Sequence, residues 1–145
     1  MQISALLRQL AEGGWIQLDG TNASPEVPAS LLPDGPGVVI SSGGSSGGRR
    51  RCLQPLMHLD HSAAATGSWL GSIGIDPSAC LVLNPLPMHH VSGLMPWWRS
   101  RCWGSTHVPL NPNLLKQPSQ LLNFCCELKG WTERPLVLSL VPTQL

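Results

Sequence analysis

The sequence predicts an α/β layered domain with a mostly parallel sheet, and three observations predict it. Apolar runs of about four to six residues alternate with helical patterns of about 10–15 residues, the order expected of strands and crossover helices. The runs at 37–40 and 80–83 lead directly into the two most unusual stretches of the chain, and in such sheets ligands sit beyond the carboxyl ends of the strands. The chain has 145 residues, 42% hydrophobic and 12% charged, enough for one core and too few for two full domains.

Taken in order, Ile3, Leu6, Leu7, Leu10 and Ala11 recur at helical spacing, and Gly13 and Gly14 end the helix they predict. Residues 19–36 hold Pro25, Pro28, Pro33 and Pro36 among Gly, Ser, Asn and Asp, a composition that reads as an exposed connector. The expected organisation is therefore a short helix and connector over 1–36 and a layered unit over 37–145. Residues 37–40 read as a buried strand, while 53–57 fit neither pattern. Ala63, Ala64, Ala65, Trp69, Leu70 and Ile73 predict a helix capped by Asp60 or Ser62 and closed by Gly74. Strands follow at 80–83 and 106–110. Next come a helix from an N-cap at Ser119 to a stop at Gly130 and a last strand at 135–141.

Charge and cysteine usage narrow the function classes. A formal net charge of +1 gives no electrostatic case for nucleic acid or an anionic membrane as the principal partner. The five cysteines are odd in number and show no Cys-x-x-Cys spacing, so neither structural zinc nor a disulfide framework is supported, and a reduced cytoplasmic compartment is expected. No secretory leader is evident, and no apolar run approaches the roughly 18 residues a membrane helix needs, which reads as a soluble protein.

The first unusual stretch runs Ser41, Ser42, Gly43, Gly44, Ser45, Ser46, Gly47, Gly48 and then Arg49, Arg50, Arg51. Glycine lets a ligand approach main-chain N–H groups closely, while Ser and Arg add donors for anionic oxygens, a combination suited to a polyphosphate. A flexible Gly/Ser linker is the competing reading of the same composition. Neither the P-loop nor the dinucleotide fingerprint fits, because no Gly-Lys-Ser/Thr closes the stretch and no helical pattern follows it.

The second stretch, 88–103, contains His89, His90, Ser92, Gly93, Arg99 and three tryptophans. Trp97, Trp98 and Trp103 read as core, with an apolar wall beside Arg99 as the functional alternative. Adjacent His89 and His90 should diverge on a strand or helix, and His58 with His61 lacks a completing ligand set, so no metal site is expected. Ser45 and Ser46 lack the Gly-x-Ser-x-Gly elbow of a hydrolase nucleophile.

Together these residues resemble the adenylate-forming acyl-CoA synthetase family. Its phosphate loop, Thr-Ser-Gly-Thr-Thr-Gly-x-Pro-Lys, matches Ser42 to Arg50 in register, with Arg49 at the Pro position and Arg50 at the Lys position. The family's Pro-Leu-Phe-His motif resembles Pro87-Met88-His89-His90, with His90 at the motif histidine. His90-Val91-Ser92-Gly93, Arg99, Gly104 and the run from Ser139 to Leu145 are similar to the o-succinylbenzoate–CoA ligase branch, of menaquinone and phylloquinone biosynthesis. The resemblance covers about 37–145, and the first 36 residues match no family.

The resemblance implies a two-step reaction. A carboxylate attacks the α-phosphate of ATP, carried with Mg2+, to give an acyl-adenylate and pyrophosphate, and coenzyme A then displaces AMP to form a thioester. It implies that Ser42, Gly43, Gly44, Ser45, Ser46, Gly47 and Arg50 bind the phosphates. His90, Ser92 and Gly93 would line the acyl pocket, and Arg99 would engage the acid's oxygens. No residue here is expected to act as general base, since a carboxylate is already nucleophilic at neutral pH. Family members carry further adenine-, ribose- and hinge-contacting motifs and a mobile domain with a catalytic Lys, so this chain is expected to be a partial adenylation domain, inactive alone. The complete enzyme's partners would be a small-molecule acid, ATP and CoA, with homo-oligomerisation left open. The alternatives are a non-catalytic remnant of the same fold and a ligase for another aryl or acyl acid.

Overall fold

A computed structural model describes residues 8, 10–18, 27–42 and 50–144. The architecture is α/β, with two three-stranded sheets and three longer helices among the described residues. Strands β1 (Trp15–Leu18), β2 (Gly37–Ser42) and β3 (Arg50–Pro55) form the first sheet in that order. Helix α1 (Leu56–Ser72) follows, then β4 (Leu81–Asn84), helix α2 (Val91–Trp103) and β5 (Thr106–Pro109). Helix α3 (Pro118–Cys126) and β6 (Leu136–Leu138) complete the chain, and the second sheet has the order β5-β4-β6.

Three of the four strand pairings are parallel, β1 with β2 and β4 with both β5 and β6, while β2 and β3 form an antiparallel hairpin. All four residues of β4 are buried, which is why that strand reads as a continuous apolar run. Leu83 and Val108 pack toward α3 through Cys125, with Leu121, Phe124 and Trp131 around them. The other core joins the first sheet to α1 and α2: Ile16, Leu18, Val38 and Ile40 meet Leu59, Ala63, Leu94, Trp97 and Trp98. Helix α2 thus packs on the first sheet while also contacting β4 and β5 of the second.

Leu10 belongs to the same core, and Glu12 N–H bonds the Arg8 carbonyl at 3.1 Å in the helical turn that Gly13, at φ +82°, terminates. Ile3, Leu6 and Leu7 of the helix expected there lie outside the described residues. Strand β1 was not evident in the sequence. It joins residues ahead of the connector to the sheet and core of those behind it, through the register Ile16 with Val38 and Leu18 with Ile40.

Two expected caps are corrected. Helix α1 begins at Leu56, directly after Pro55 ends β3, so Asp60 and Ser62 lie inside the helix rather than at its start. Asp60 instead accepts the Trp98 indole N–H at 2.9 Å across the α1–α2 contact. Helix α3 begins at Pro118, whose fixed φ suits a first helical position, so Ser119 is already in the first turn. The stop at Gly74 stands, with φ +82° just past the Ile73 C-cap of α1, whereas α3 ends earlier than expected, at Cys126 with Glu127 as its C-cap, and Gly130, at φ +76°, lies in the turn beyond it. Arg134 ties the second sheet together from outside, donating to the Ala79 carbonyl at 2.7 Å, the Cys80 carbonyl at 2.9 Å and Thr106 Oγ1 at 3.0 Å. No helix among the described residues is long and apolar enough to cross a membrane.

Candidate functional site

A cleft of about 420 Å³ opens between the β2–β3 hairpin and the start of α2. It is lined by Ile40 and Ser41 from β2, Cys52 and Gln54 from β3, and His90, Val91 and Ser92 from the N-terminus of α2. The two stretches singled out in the sequence therefore converge: Ser41 opens the first and His90, Val91 and Ser92 belong to the second. The hairpin register places Cys52 opposite Ile40, and Gln54 Nε2 donates to Cys52 Sγ at 3.1 Å.

His90 has extended backbone (φ −112°, ψ 151°) as the N-cap of α2, and its carbonyl accepts the Leu94 N–H at 2.9 Å. The first N–H groups of a helix have no intrahelical acceptor and carry the positive end of its dipole, so the Val91 and Ser92 amides bring anion-favouring donors to the cleft. Pro96, inside α2, has no N–H to give the Ser92 carbonyl, so the helical ladder skips this cleft residue. The cleft thus combines hydroxyl, amide, imidazole and helix-terminus donors, a set suited to holding oxygens of an anionic ligand.

The expected phosphate residues divide into two groups. Gly43, Gly44, Ser45, Ser46 and Gly47 lie outside the described residues. Ser42 ends β2 and is the register partner of Arg50, the exposed first residue of β3. The exposed start of β3 explains why its strand character was hidden: Arg50, Arg51 and Cys52 are all exposed at the end of an edge strand and leave no apolar run there.

The expected acyl-pocket residues also separate. His90 and Ser92 line the cleft. Gly93 is not among its lining residues but is buried behind it, where an added Cβ would stand 2.2 Å from the Pro87 carbonyl oxygen and 2.6 Å from that of Leu86. Its absent side chain lets the turn before α2 lie flush on the helix. Arg99 also lies outside the lining set. It stands seven residues after Ser92, nearly two full turns and about 10 Å along the helix, which puts the two on one face. Its guanidinium Nε is buried without a hydrogen-bond acceptor among the described residues, and burial lowers its pKa. A buried N–H donor without an acceptor carries a desolvation cost.

The tryptophans are structural. Trp97 and Trp98 are buried in the core with ring centroids 5.7 Å apart in an edge-to-face arrangement, and Trp103 donates to the Ala63 carbonyl at 2.9 Å. Arg101, rather than Arg99, stacks on a tryptophan, 5.5 Å from the Trp98 centroid. The His89 and His90 rings do not diverge; they stand 4.4 Å apart at 49°, because the pair lies in a turn instead of a strand or helix. Among the described residues no group of three or more His, Cys, Asp or Glu is placed to hold a metal ion. Sequence reading missed Cys52, Gln54 and the network around Asn84, since their positions follow from the hairpin register and from tertiary contacts rather than from any local pattern.

No family model matches the chain, and no curated protein matches it. Among solved structures it is similar to the o-succinylbenzoate CoA synthetase MenE from Bacillus subtilis, solved with the acyl-adenylate intermediate OSB-AMP, at a TM-score of 0.43 and 20% identity over 72% of this chain and 31% of that one. It is also similar to the inhibitor-bound N-terminal domain of FACL13 from Mycobacterium tuberculosis, at a TM-score of 0.42 and 21% identity over 82% of this chain and 34% of that one. The chain thus spans about a third of the length of each.

Proposed function

We propose that this chain supplies the phosphate-binding stretch and part of the acid pocket of an ATP-dependent, AMP-forming acid–CoA ligase, with o-succinylbenzoate as the acid. The observation that carries the reading is the convergence of the two motif stretches on one cleft, Ser41 from one side and His90 with Ser92 from the other. In this reading the amides and hydroxyls of 42–47 and the Arg50 guanidinium hold the β- and γ-phosphates of ATP, which brings Mg2+ with it. The α2 N-terminus and His90 face the acid, and Arg99 supplies a charge-assisted bond to its oxygens. The attacking group is the acid's own carboxylate, so the cleft contributes orientation and charge stabilisation rather than a base.

Pyrophosphate release with ATP, Mg2+ and o-succinylbenzoate tests the reading, run on this chain and on a longer chain that contains it. The expected result is ATP binding by this chain and acid-dependent release by the longer one. Absence of release with every acid offered would overturn the ligase assignment, and release with another aryl acid alone would overturn the choice of o-succinylbenzoate. A second reading, a non-catalytic remnant of the same fold, is favoured by one feature: Arg49 stands where the family loop has Pro.

A further inference from the structure

Behind the cleft, at the carboxyl end of β4, a polar network centred on Asn84 has no part in the roles assigned above. Asn84 is 4% exposed. Its amide nitrogen donates to the Gly93 carbonyl at 2.8 Å and lies 3.1 Å from His107 Nε2, while its amide oxygen accepts the Leu86 N–H at 3.2 Å. Met88 Sδ stands 4.0 Å from the same nitrogen, a weaker third contact.

The chemistry of the partners assigns the Asn84 amide and His107 Nε2. A backbone carbonyl only accepts and a backbone N–H only donates, so the Asn84 amide cannot be turned over without facing like against like at both Gly93 and Leu86. Its two hydrogens are then directed to Gly93 and His107, which makes His107 Nε2 an acceptor. His107 is therefore neutral, with its proton on Nδ1. A proton arriving at Nε2 would meet the Asn84 N–H head-on.

We propose that Asn84, held by a neutral His107, is the positioning residue of the cleft: it ties the end of β4 to the first turn of α2 and so sets where His90 and Ser92 stand, and protonation of His107 releases the tie. The functional consequence rests on the reading of the cleft given above; the network itself does not. The lever is short because the turn has no slack. Gly93 is already in contact with the Leu86 and Pro87 carbonyls, so a shift of Leu86 or Gly93 moves the 87–92 segment with it.

The surroundings of His107 support a neutral ring. Strand β4 carries no titratable side chain. Helix α2 brings Arg99, Arg101 and Cys102, of which Arg101 stacks on Trp98 and Cys102 bonds Asp60, and the turn brings His89 and His90. Arg134 reaches β5 at Thr106, with its guanidinium held on the Ala79 and Cys80 carbonyls. Burial disfavours the charged imidazole and moves its pKa down.

Nitrogen-15 NMR of the histidine rings and of the backbone amides in the 145-residue chain tests the proposal. The expected result is an Nδ1–H tautomer for His107 at neutral pH and a midpoint below that of free histidine. The Leu86 and Ser92 amide signals should carry a component with the same midpoint. In His107→Gln, whose side-chain oxygen accepts from Asn84 at every pH, that component should vanish. A proton on Nε2 in the wild-type chain overturns the proposal without any variant, as does a Ser92 titration that His107→Gln leaves intact. Titration as expected in a chain that binds no ATP supports the positioning network and overturns only the phosphate reading.

Discussion

Ser42 and Arg50 are cross-strand partners, the last pair in the antiparallel register of β2 and β3. Directly opposed residues in such a pair lie about 4.5–5.5 Å apart at Cα, so the Gly/Ser stretch leaves and rejoins the sheet at one point. The register thus places Arg50 at the point where the chain rejoins the sheet after that stretch. Arg50→Ala is expected to weaken ATP binding roughly 10- to 100-fold, the equivalent of about 1.5–3 kcal/mol for a hydrogen bond to a charged group. Arg50→Lys should lose less, since it keeps the charge but not the planar fork. Isothermal titration with ATP and Mg2+ checks both variants.

Gly93 offers a test of the cleft's scaffold. Gly93→Ala would place a methyl carbon 2.2 Å from a main-chain oxygen, and neither the helix nor the turn can withdraw one atom at a time. Overpacking of this kind costs about 1–3 kcal/mol. Urea unfolding should show that loss, and the His90 and Ser92 amide signals should shift in the protein that remains folded.

The Trp98 indole supports α2 in two ways, by burial and by its bond to Asp60. Trp98→Phe should keep most of the packing and lose the donor, costing about 1 kcal/mol. Trp98→Ala should leave a cavity and cost about 3–5 kcal/mol. The gap between the two variants in urea midpoint separates the polar part from the packing part.

Stability should fall on acidification in two windows. Burial lowers the native pKa of His107 below the ordinary 6.5, so between the two values the unfolded chain binds more protons and stability rises with pH. This contribution is complete above about 6.5 and is lost as pH falls through the lowered value. Asp76 acts lower on the scale. Hydrogen bonds from the Ser78 hydroxyl and N–H hold its carboxylate below the ordinary 3.8, so its contribution is present above 3.8 and disappears as pH falls through the native value. Urea midpoints across pH should show both steps, and His107→Gln should flatten the upper one alone.

The elements that were legible in the sequence are those whose cause is local. The buried runs of β2 and β4 announce themselves, as does the helix end at Gly74, because burial on both faces and positive φ each leave a mark on residue type. Strands β1 and β3 leave none. Trp15–Leu18 is a run of only four residues, interrupted by Gln17 and squeezed between the Gly13-Gly14 helix stop and the connector, and Arg50–Pro55 opens on arginines that an edge strand can turn to solvent. The candidate site divides in the same way. His90 and Ser92 follow from a motif, whereas Cys52 and Gln54 enter the cleft only because the hairpin folds β3 back along β2. Asn84 and His107, distant in sequence, gain meaning only when β4 and β5 lie side by side.

The most direct measurement is a two-dimensional NMR titration of the isotope-labelled chain with ATP and Mg2+, repeated on Arg50→Ala. The expected result is saturable movement of the signals of Ser41, Ser42, Cys52, Gln54, His90 and Ser92, with those of α3 and β6 unmoved, and a midpoint moved roughly 10- to 100-fold higher in ATP for Arg50→Ala. Saturable binding that moves α3 and β6 instead, or no response of the cleft residues at any attainable ATP concentration, would contradict the placement of a phosphate site at the mouth of this hairpin.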